Sequence, residues 1–397
     1  MGILEKLFIV FIFTFPTGVI GRIQFSNGLA ISINDLSLLV LVCSWFFYKF
    51  KRKEHKSKYF LLKPIFLFLA IALASLLLNF NNLGIYKFLI SFSYFARFLG
   101  YLLLYFITKD FSKNFKVKIN KYLIISGLIV VLIGYVQYFL YPSLKGLFYL
   151  GWDIHLYRMV SVFLDPNFAG TFFNIYFIFL IDYLRKNYKK FSQPVFLSLS
   201  LLSIFSLFSI YLTYSRSALI MLFVSLITYL TLFNKRKLIL ISVLVFILLI
   251  FISPRAFQTE GTNLLRVVSS NERIHSLQIA MKIIQNNPLF GVGFNAYRYA
   301  QNKLGLDNIY WQVTHSGAGT DASFVFVIAT TGFIGFFVFL YLVYKIIILA
   351  KINLKNGGIL LASIILGLIA NSLFVNSFFY IFILEWIWII CGLTESS

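Results

Sequence analysis

The sequence predicts an all-α fold, a polytopic transmembrane helix bundle of about 12 spans, with one long extracytoplasmic loop containing an amphipathic helix. Three observations predict it. Of the 397 residues, 60% are hydrophobic and only 12% charged, about half the charged share of a soluble domain. Apolar runs of roughly 20 residues, enough to cross about 30 Å of hydrocarbon, recur along the chain. Lys and Arg fall in short connections between these runs and mark the cytoplasmic side.

The formal net charge of +22 follows from that inside bias. No soluble domain carries a basic patch, so nucleic acid is excluded as a partner and the lipid bilayer takes its place. Cys43 and Cys391 lie inside apolar spans and read as small core residues. No small-residue cleavage site follows Lys6 and its apolar run, so the first span is read as retained.

Span 1 runs about Ile3 to Ile20 and span 2 about Ile31 to Tyr48. The basic block Lys49 to Lys58 follows; it reads as a cytoplasmic anchor, with anionic-lipid binding as the alternative. Span 3, about Tyr59 to Leu78, and span 4, about Lys87 to Ile107, flank a polar turn. Arg97 lies near the middle of span 4, where a charge must face the bundle interior or water. Two uses stay open for it, a lipid-phosphate contact and a plain structural pair. Glu385 in the last span makes the same demand, and Arg97 is a candidate mate.

The loop Lys109 to Lys121 is cytoplasmic, and span 5 runs about Tyr122 to Tyr141. An aromatic outer segment leads to Asp165-Pro166-Asn167, a turn and helix start for span 6, about Phe168 to Leu184. Spans 7 (about Val195 to Leu212) and 8 (about Ala218 to Leu232) meet at the short outer junction Thr213 to Ala218. Span 9 ends near Ile252, span 10 covers about Ala322 to Tyr344, and spans 11 and 12 about Gly358 to Val375 and Phe379 to Leu393. The division is therefore 1–253 for spans 1–9, 254–321 for the extracytoplasmic loop and 322–397 for spans 10–12, all in one membrane domain.

Chemistry is expected at the outer junctions. Arg216 sits in the junction of spans 7 and 8, on the side that the charge bias disfavours. Its planar, permanently charged fork suits phosphate oxygens; a snorkelling interfacial arginine is the other reading. In the long loop, Ser269-x-x-Glu272 is a capping-box pattern. The helix it opens sets Ile274, Leu277, Met281 and Ile284 on one face, and Pro288 stops it. Arg273 in its first turn is a second candidate phosphate ligand or a solvated surface residue. His275 reads as structural. Pro288 to Arg298 contains Gly-x-Gly without a dinucleotide fingerprint, so its glycines are expected to turn the backbone tightly against the spans. Arg298 at its end is, with Arg97, a candidate accessory residue.

Thr314 to Ser323 places His315 and Asp321 around small residues just before span 10. Either can accept a proton from a hydroxyl at the membrane surface. Asp321 also suits the N-cap of span 10. The four histidines are scattered and no nucleotide or metal motif occurs, so no cofactor and no metal are expected.

Several of these stretches together resemble the bacterial O-antigen ligase and O-antigen polymerase family of membrane glycosyltransferases. They are SRSA after span 7, the ER-x-x-x-LQIAMKIIQNNPLFGVGF loop helix, TTGFIG in span 10 and VSVFLDPNFAG before span 6. The motifs cover roughly residues 155–345. The resemblance implies transfer of a glycan from a polyprenyl diphosphate carrier to an acceptor hydroxyl, on lipid A-core or on another glycan repeat unit. It implies that Arg216 and Arg273 hold the diphosphate, on the outer side of a bacterial cytoplasmic membrane. Ligases of the family carry a histidine about ten residues before the last Gly-x-x-Gly; here that position holds Asp321, and His315 lies six residues earlier. Base identity and the choice between ligase and polymerase stay open at this point. The rival class is a transporter or flippase of lipid-linked glycans, which calls for paired broken helices that the sequence does not display.

Overall fold

The computed structural model describes residues 2–25, 28–52, 58–252, 259–264, 268–306 and 318–395. It is built almost wholly of α-helices. Helices α1 (Ile3–Thr14) and α2 (Ile33–Arg52) are joined through a small antiparallel hairpin, β1 (Arg22–Gln24) with β2 (Ala30–Ser32). The helical pattern did not foretell this hairpin. Then come α3 (Leu62–Leu78), α4 (Phe80–Asp110), α5 (Lys113–Leu140), α6 (Pro166–Asn187), α7 (Gln193–Leu212), α8 (Arg216–Leu232) and α9 (Arg236–Ile252). The long loop holds α10 (Val268–Asn286) and α11 (Tyr297–Lys303), and α12 (Ser323–Ile352), α13 (Gly358–Ser372) and α14 (Ile381–Thr394) complete the chain.

Among the described residues, six helices are long and apolar enough to cross a membrane: α2, α4, α5, α6, α7 and α12. Helices α3, α8, α13 and α14 are shorter apolar helices. Apolar residues on α6 and α14 run all round, and both helices are buried at the centre. Trp386 of α14 is enclosed there by Phe15, Phe172, Tyr176 and Phe179, with ring centroids 5.2 to 5.9 Å away. Helix α7 instead turns Leu197, Ile204, Phe205 and Phe208 outward, as a lipid-facing helix does. Cys391 is buried as expected, whereas Cys43 is exposed on the outside of the bundle.

Acidic helix ends neutralise the basic connections at one end of the bundle. Lys49 pairs with Asp110 at 2.9 Å, Lys109 with Glu395 at 2.8 Å and Lys186 with Asp182 at 2.6 Å. The intramembrane charges differ from the expected pairing. Arg97 pairs with Asp35 at 2.9 Å and also donates to the Ala30 carbonyl, so it ties α4 to the start of α2 and to β2. Glu385 accepts instead from Asn34 Nδ2 at 2.7 Å. Asp35 and Ala30 sit beside the hairpin, and only the folded hairpin brings them to Arg97.

Helix α12 is broken at Gly332, where φ is 69° and ψ is −176°. The segment after α10 fills the gap. Val292 N–H donates to the Ala329 carbonyl at 3.0 Å and Gly293 N–H to the Thr330 carbonyl at 3.1 Å. In return, Phe333 N–H donates to the Pro288 carbonyl at 2.8 Å. These groups at the break are thus paired within protein, as irregular backbone at membrane depth requires. The Ser75 hydroxyl lies 2.5 Å from the Phe290 carbonyl and 2.7 Å from that of Thr330, and Asn79 Nδ2 donates to the Gly291 carbonyl at 3.0 Å. The expectation that these glycines let the loop press against the spans holds in a stronger form: part of the loop is threaded into a span.

A side chain has no room there. A Cβ on Gly332 would lie 2.1 Å from the Leu289 carbonyl oxygen, at a φ that disfavours L-residues as well. Gly332→Ala is expected to cost about 2–4 kcal/mol. It should lower the thermal midpoint and the folded yield by size exclusion, whereas Gly146→Ala, with nothing within 4 Å, leaves both unchanged. Equal midpoints for the two variants would refute this account of the break.

Candidate active site

The end of the bundle opposite the basic connections carries the candidate residues. Only three residues, Thr213 to Ser215, separate α7 from α8, and Arg216 is the first residue of α8 itself. The turn is strained: Tyr214 has φ 49°, a left-handed conformation costly for a bulky residue. Side chains hold it in place. The Ser215 hydroxyl accepts from Ala218 N–H at 3.4 Å and donates to Asn167 Oδ1 at 2.8 Å. Arg158, buried, donates from Nε to the Thr213 carbonyl at 2.9 Å. Gln137 of α5 holds the Arg158 segment in turn, accepting from Val160 N–H at 2.8 Å. A Cβ on Gly170 would meet Ala218 at 2.5 Å, so α6 and α8 touch beside the turn. Arg216 therefore starts from a fixed backbone, with the N-terminal dipole of α8 adding positive potential.

Arg273 comes from α10. The buried face of this helix is Ala280, Ile283 and Ile284, packed with Phe326 and Ala329 of α12. Of the expected apolar stripe, Ile284 packs into this face at 6% exposed, while Ile274, Leu277 and Met281 turn away from α12 at 56%, 46% and 47% exposed. Packing against α12 decides the orientation, and the apolar pattern alone does not separate two adjoining stripes. The Arg273 guanidinium lies 5.8 Å from the centre of the Phe374 ring, in the turn after α13.

Asp321 stands just ahead of α12. It does not cap the helix: the cap position is Ala322, no side chain caps it, and Ala322 N–H donates to Thr320 Oγ1 at 3.2 Å. The capping role falls away because the helix begins two residues after Asp321. Asp165 does cap its helix, accepting from Asn167 and Phe168 N–H at 2.6 and 3.1 Å, as the Asp-Pro-Asn reading expects.

Electrostatics place these groups in one mouth. Burial lowers the Arg273 pKa, the field of Asp321 opposes this, and Arg216 adds to the lowering. The Asp321 carboxyl is raised by burial, against the pull of Arg273 and with help from Asp165 and Glu272. Asp153 is pushed up to about 6 by burial and by Asp165, Glu272 and Asp321. Asp153 and Asp321 nevertheless reach solvent. Arg216, Arg273 and four carboxylates thus lie within electrostatic reach of one another at this end of the bundle, its mouth.

Other candidates fall elsewhere. His315 lies outside the described residues. His275 is exposed and lines a separate groove with Leu277, Lys282 and Leu306. Arg97 and Arg298 sit with Arg22 around Tyr94. Among the described residues no group of three or more His, Cys, Asp or Glu is placed to hold a metal ion. Sequence reasoning missed Arg158, Gln137 and Asp153. Arg158 carried a usable signal, since it is an outer-segment arginine that defies the inside bias just as Arg216 does.

The Asp153 shift has a signed consequence. Its folded-state pKa of about 6 lies above the ordinary 3.8, so the folded chain holds this proton more tightly than the unfolded chain. The stability it contributes is full below pH 3.8 and is lost as pH rises to about 6. Asp153→Asn should match the wild-type thermal midpoint near pH 4 and exceed it at pH 7. Midpoints that stay parallel across that range would refute the shift.

Comparison with known proteins bears on the same residues. No curated protein matches the chain. The family described as O-Antigen ligase matches residues 201–340. That stretch holds Arg216, Arg273, Asp321, Arg298 and both sides of the broken helix, while Arg158, Asp153 and Asp165 lie outside it. The motifs in it are those that form the α7–α8 turn, α10 and the plugged break, and over this stretch the chain is similar to the O-antigen ligase family.

Proposed function

We propose that the protein transfers a glycan from a polyprenyl diphosphate carrier to an acceptor hydroxyl on lipid A-core or on another glycan repeat unit. The observation that carries the reading is the convergence of Arg216 and Arg273, 57 positions apart in the chain, within each other's electrostatic reach beside Asp321. Two guanidiniums from different elements suit the paired phosphates of such a carrier. The alternating basic connections support twelve crossings, α1–α9 and α12–α14, in a bacterial cytoplasmic membrane, with the mouth on the extracytoplasmic side. On this reading residues 1–253, 254–321 and 322–397 form one integrated domain.

In the reaction the acceptor oxygen attacks the anomeric carbon. The bond from that carbon to the diphosphate oxygen breaks, and its electron pair leaves with the diphosphate. Arg216, Arg273 and the α8 terminus stabilise the charge that grows there. The acceptor proton passes to Asp321 or His315. A carboxyl pKa raised by burial makes Asp321 a stronger base than an ordinary aspartate. The diphosphate is a good leaving group, so the reaction needs no metal for its departure.

A transporter or flippase of lipid-linked glycans gains less support. The broken helix at Gly332 is plugged by residues 288–293, whereas a transport site needs the break to line a cavity.

Purified protein given a polyprenyl-diphosphate glycan and an acceptor should form a covalently extended product. Arg216→Ala and Arg273→Ala should each lower turnover by about 10²–10³-fold with unchanged size-exclusion behaviour. Asp321→Asn and His315→Ala, assayed side by side, identify the base by which one abolishes turnover together with the acidic limb of the pH profile. Full turnover in Arg216→Ala, or lipid movement across vesicles without a new glycosidic bond, would reject the transferase reading.

A further inference from the structure

A second group of arginines lies at the same end of the bundle and takes no part in the proposed transfer. Arg22 in β1, Arg97 in α4 and Arg298 in α11 come from three elements far apart in sequence. Arg22 lies within the electrostatic reach of both others. The hairpin assembles them. Tyr94 of α4 donates from its hydroxyl to the Gly28 carbonyl at 2.9 Å, and an Arg298 Nη lies 3.7 Å from where a Cβ on Gly28 would be. The Arg97 guanidinium lies 4.9 Å from the centre of the Tyr94 ring, and that of Arg22 lies 6.0 Å from the Trp152 ring.

Two features single this cluster out. Asp35 pairs with Arg97 at 2.9 Å, while Arg22 faces both other guanidiniums. Arg22 Nε is buried with no hydrogen-bond partner among them, and so is the hydroxyl of Tyr380, which also lies in the field of Arg22. A buried guanidinium N–H left unmade is costly, more so when charged. Burial is the main factor that lowers the Arg22 pKa, and Arg97 and Arg298 add to it while Tyr94 and Tyr380 oppose it. An oxyanion between these groups would satisfy the donors and relieve the repulsion together.

We propose that Arg22, Arg97 and Arg298, with the Tyr380 hydroxyl, form a second anion subsite that holds a phosphate or carboxylate group of the acceptor glycan. Its assignment to the acceptor rests on the transferase reading; the binding of an anion does not. The stacked pair Phe168–Tyr380, centroids 3.8 Å apart, places the second cluster next to the first site, because Phe168 follows Asp165 on α6 and Tyr380 feels both Asp165 and Arg22. Donor diphosphate and acceptor anion would thus occupy adjoining positions of one mouth.

The test uses the full chain carrying Arg216→Ala and Arg273→Ala, so that the first site contributes nothing. Inorganic phosphate and glucuronate are titrated against tryptophan fluorescence, with Trp152 as the nearby reporter. Saturable binding is expected, at least about tenfold weaker once Arg22→Gln and Arg298→Gln are added, and largely kept by Arg22→Lys with Arg298→Lys. The tighter of the two probes names the anion class. If the combined variant does not fold, Arg22→Gln alone serves the same comparison. No saturable binding in the starting variant, or equal binding with the glutamines, overturns the subsite. In the transfer assay Arg22→Gln should raise the acceptor KM about tenfold and leave the donor KM unchanged. A failure to transfer at all rejects the proposed function, while the titration still decides the subsite.

Discussion

The structure depends on one insertion, residues 288–293 threaded into the break of α12. A helix broken at Gly332 inside a bundle would leave N–H and C=O groups unpaired, each worth several kcal/mol in an apolar medium. The inserted segment pairs them, and Ser75 and Asn79 of the α3 end pair the segment. This contact joins three parts of the chain that carry the candidate residues. It ends α10, which presents Arg273. It fixes the first half of α12, which follows Asp321. It leads within five residues to Arg298. A loop held only at its ends would leave Arg273 and Asp321 free to part; threading sets their separation by backbone hydrogen bonds.

Strain is concentrated at the same end of the bundle. Tyr157, Ser161, Leu164, Tyr214 and Asn295 all have positive φ without being glycine. Each such residue costs on the order of 1–3 kcal/mol. They flank the Arg158 segment, the Asp165 cap and the Arg216 turn, and the surrounding packing sustains them. Arg158 is the clearest case. Its charge is spent on the carbonyl of Thr213 inside the fold, and what it gains is a fixed origin for Arg216. A buried arginine that donates to backbone positions another residue and does not itself reach a ligand.

The helical membrane fold was legible because apolar runs and basic connections are both properties of sequence distance. Arg216 and Arg273 were legible because they violate expectations that hold elsewhere in the chain. The Arg97–Asp35 pair was not, since the partner is chosen by a hairpin whose two strands have three residues each. Nor was the buried face of α10, where Ile284 packs and Ile274 does not. That choice belongs to Phe326 and Ala329 of α12, 42 and 45 positions after Ile284, and no local period contains it. The Asp321 cap failed for a similar reason: aspartate suits the position in general, but the helix starts where Phe326 and Ala329 must meet α10.

The two arginine groups differ in their countercharge, and the difference is mechanistic. Around Arg216 and Arg273 the described residues set two guanidiniums against four carboxylates, Asp153, Asp165, Glu272 and Asp321. Two features soften that balance. Asp165 faces the N-terminus of α6 as its cap, and Asp153 takes up a proton near pH 6. On the proposed transferase reading, a site built this way does not grip a diphosphate strongly in the ground state. Its donors count most when charge accumulates on the departing oxygen, and the same carboxylates favour release of the product diphosphate. Tight binding of donor and product alike would lower KM without raising turnover. The Arg22 cluster gathers three guanidiniums, one of them paired with Asp35, and under the proposed subsite it suits a group that must stay put while its neighbour reacts. If the two proposals hold together, strong holding in one half of the mouth and weak holding in the other lets an acceptor remain in place while the carrier leaves.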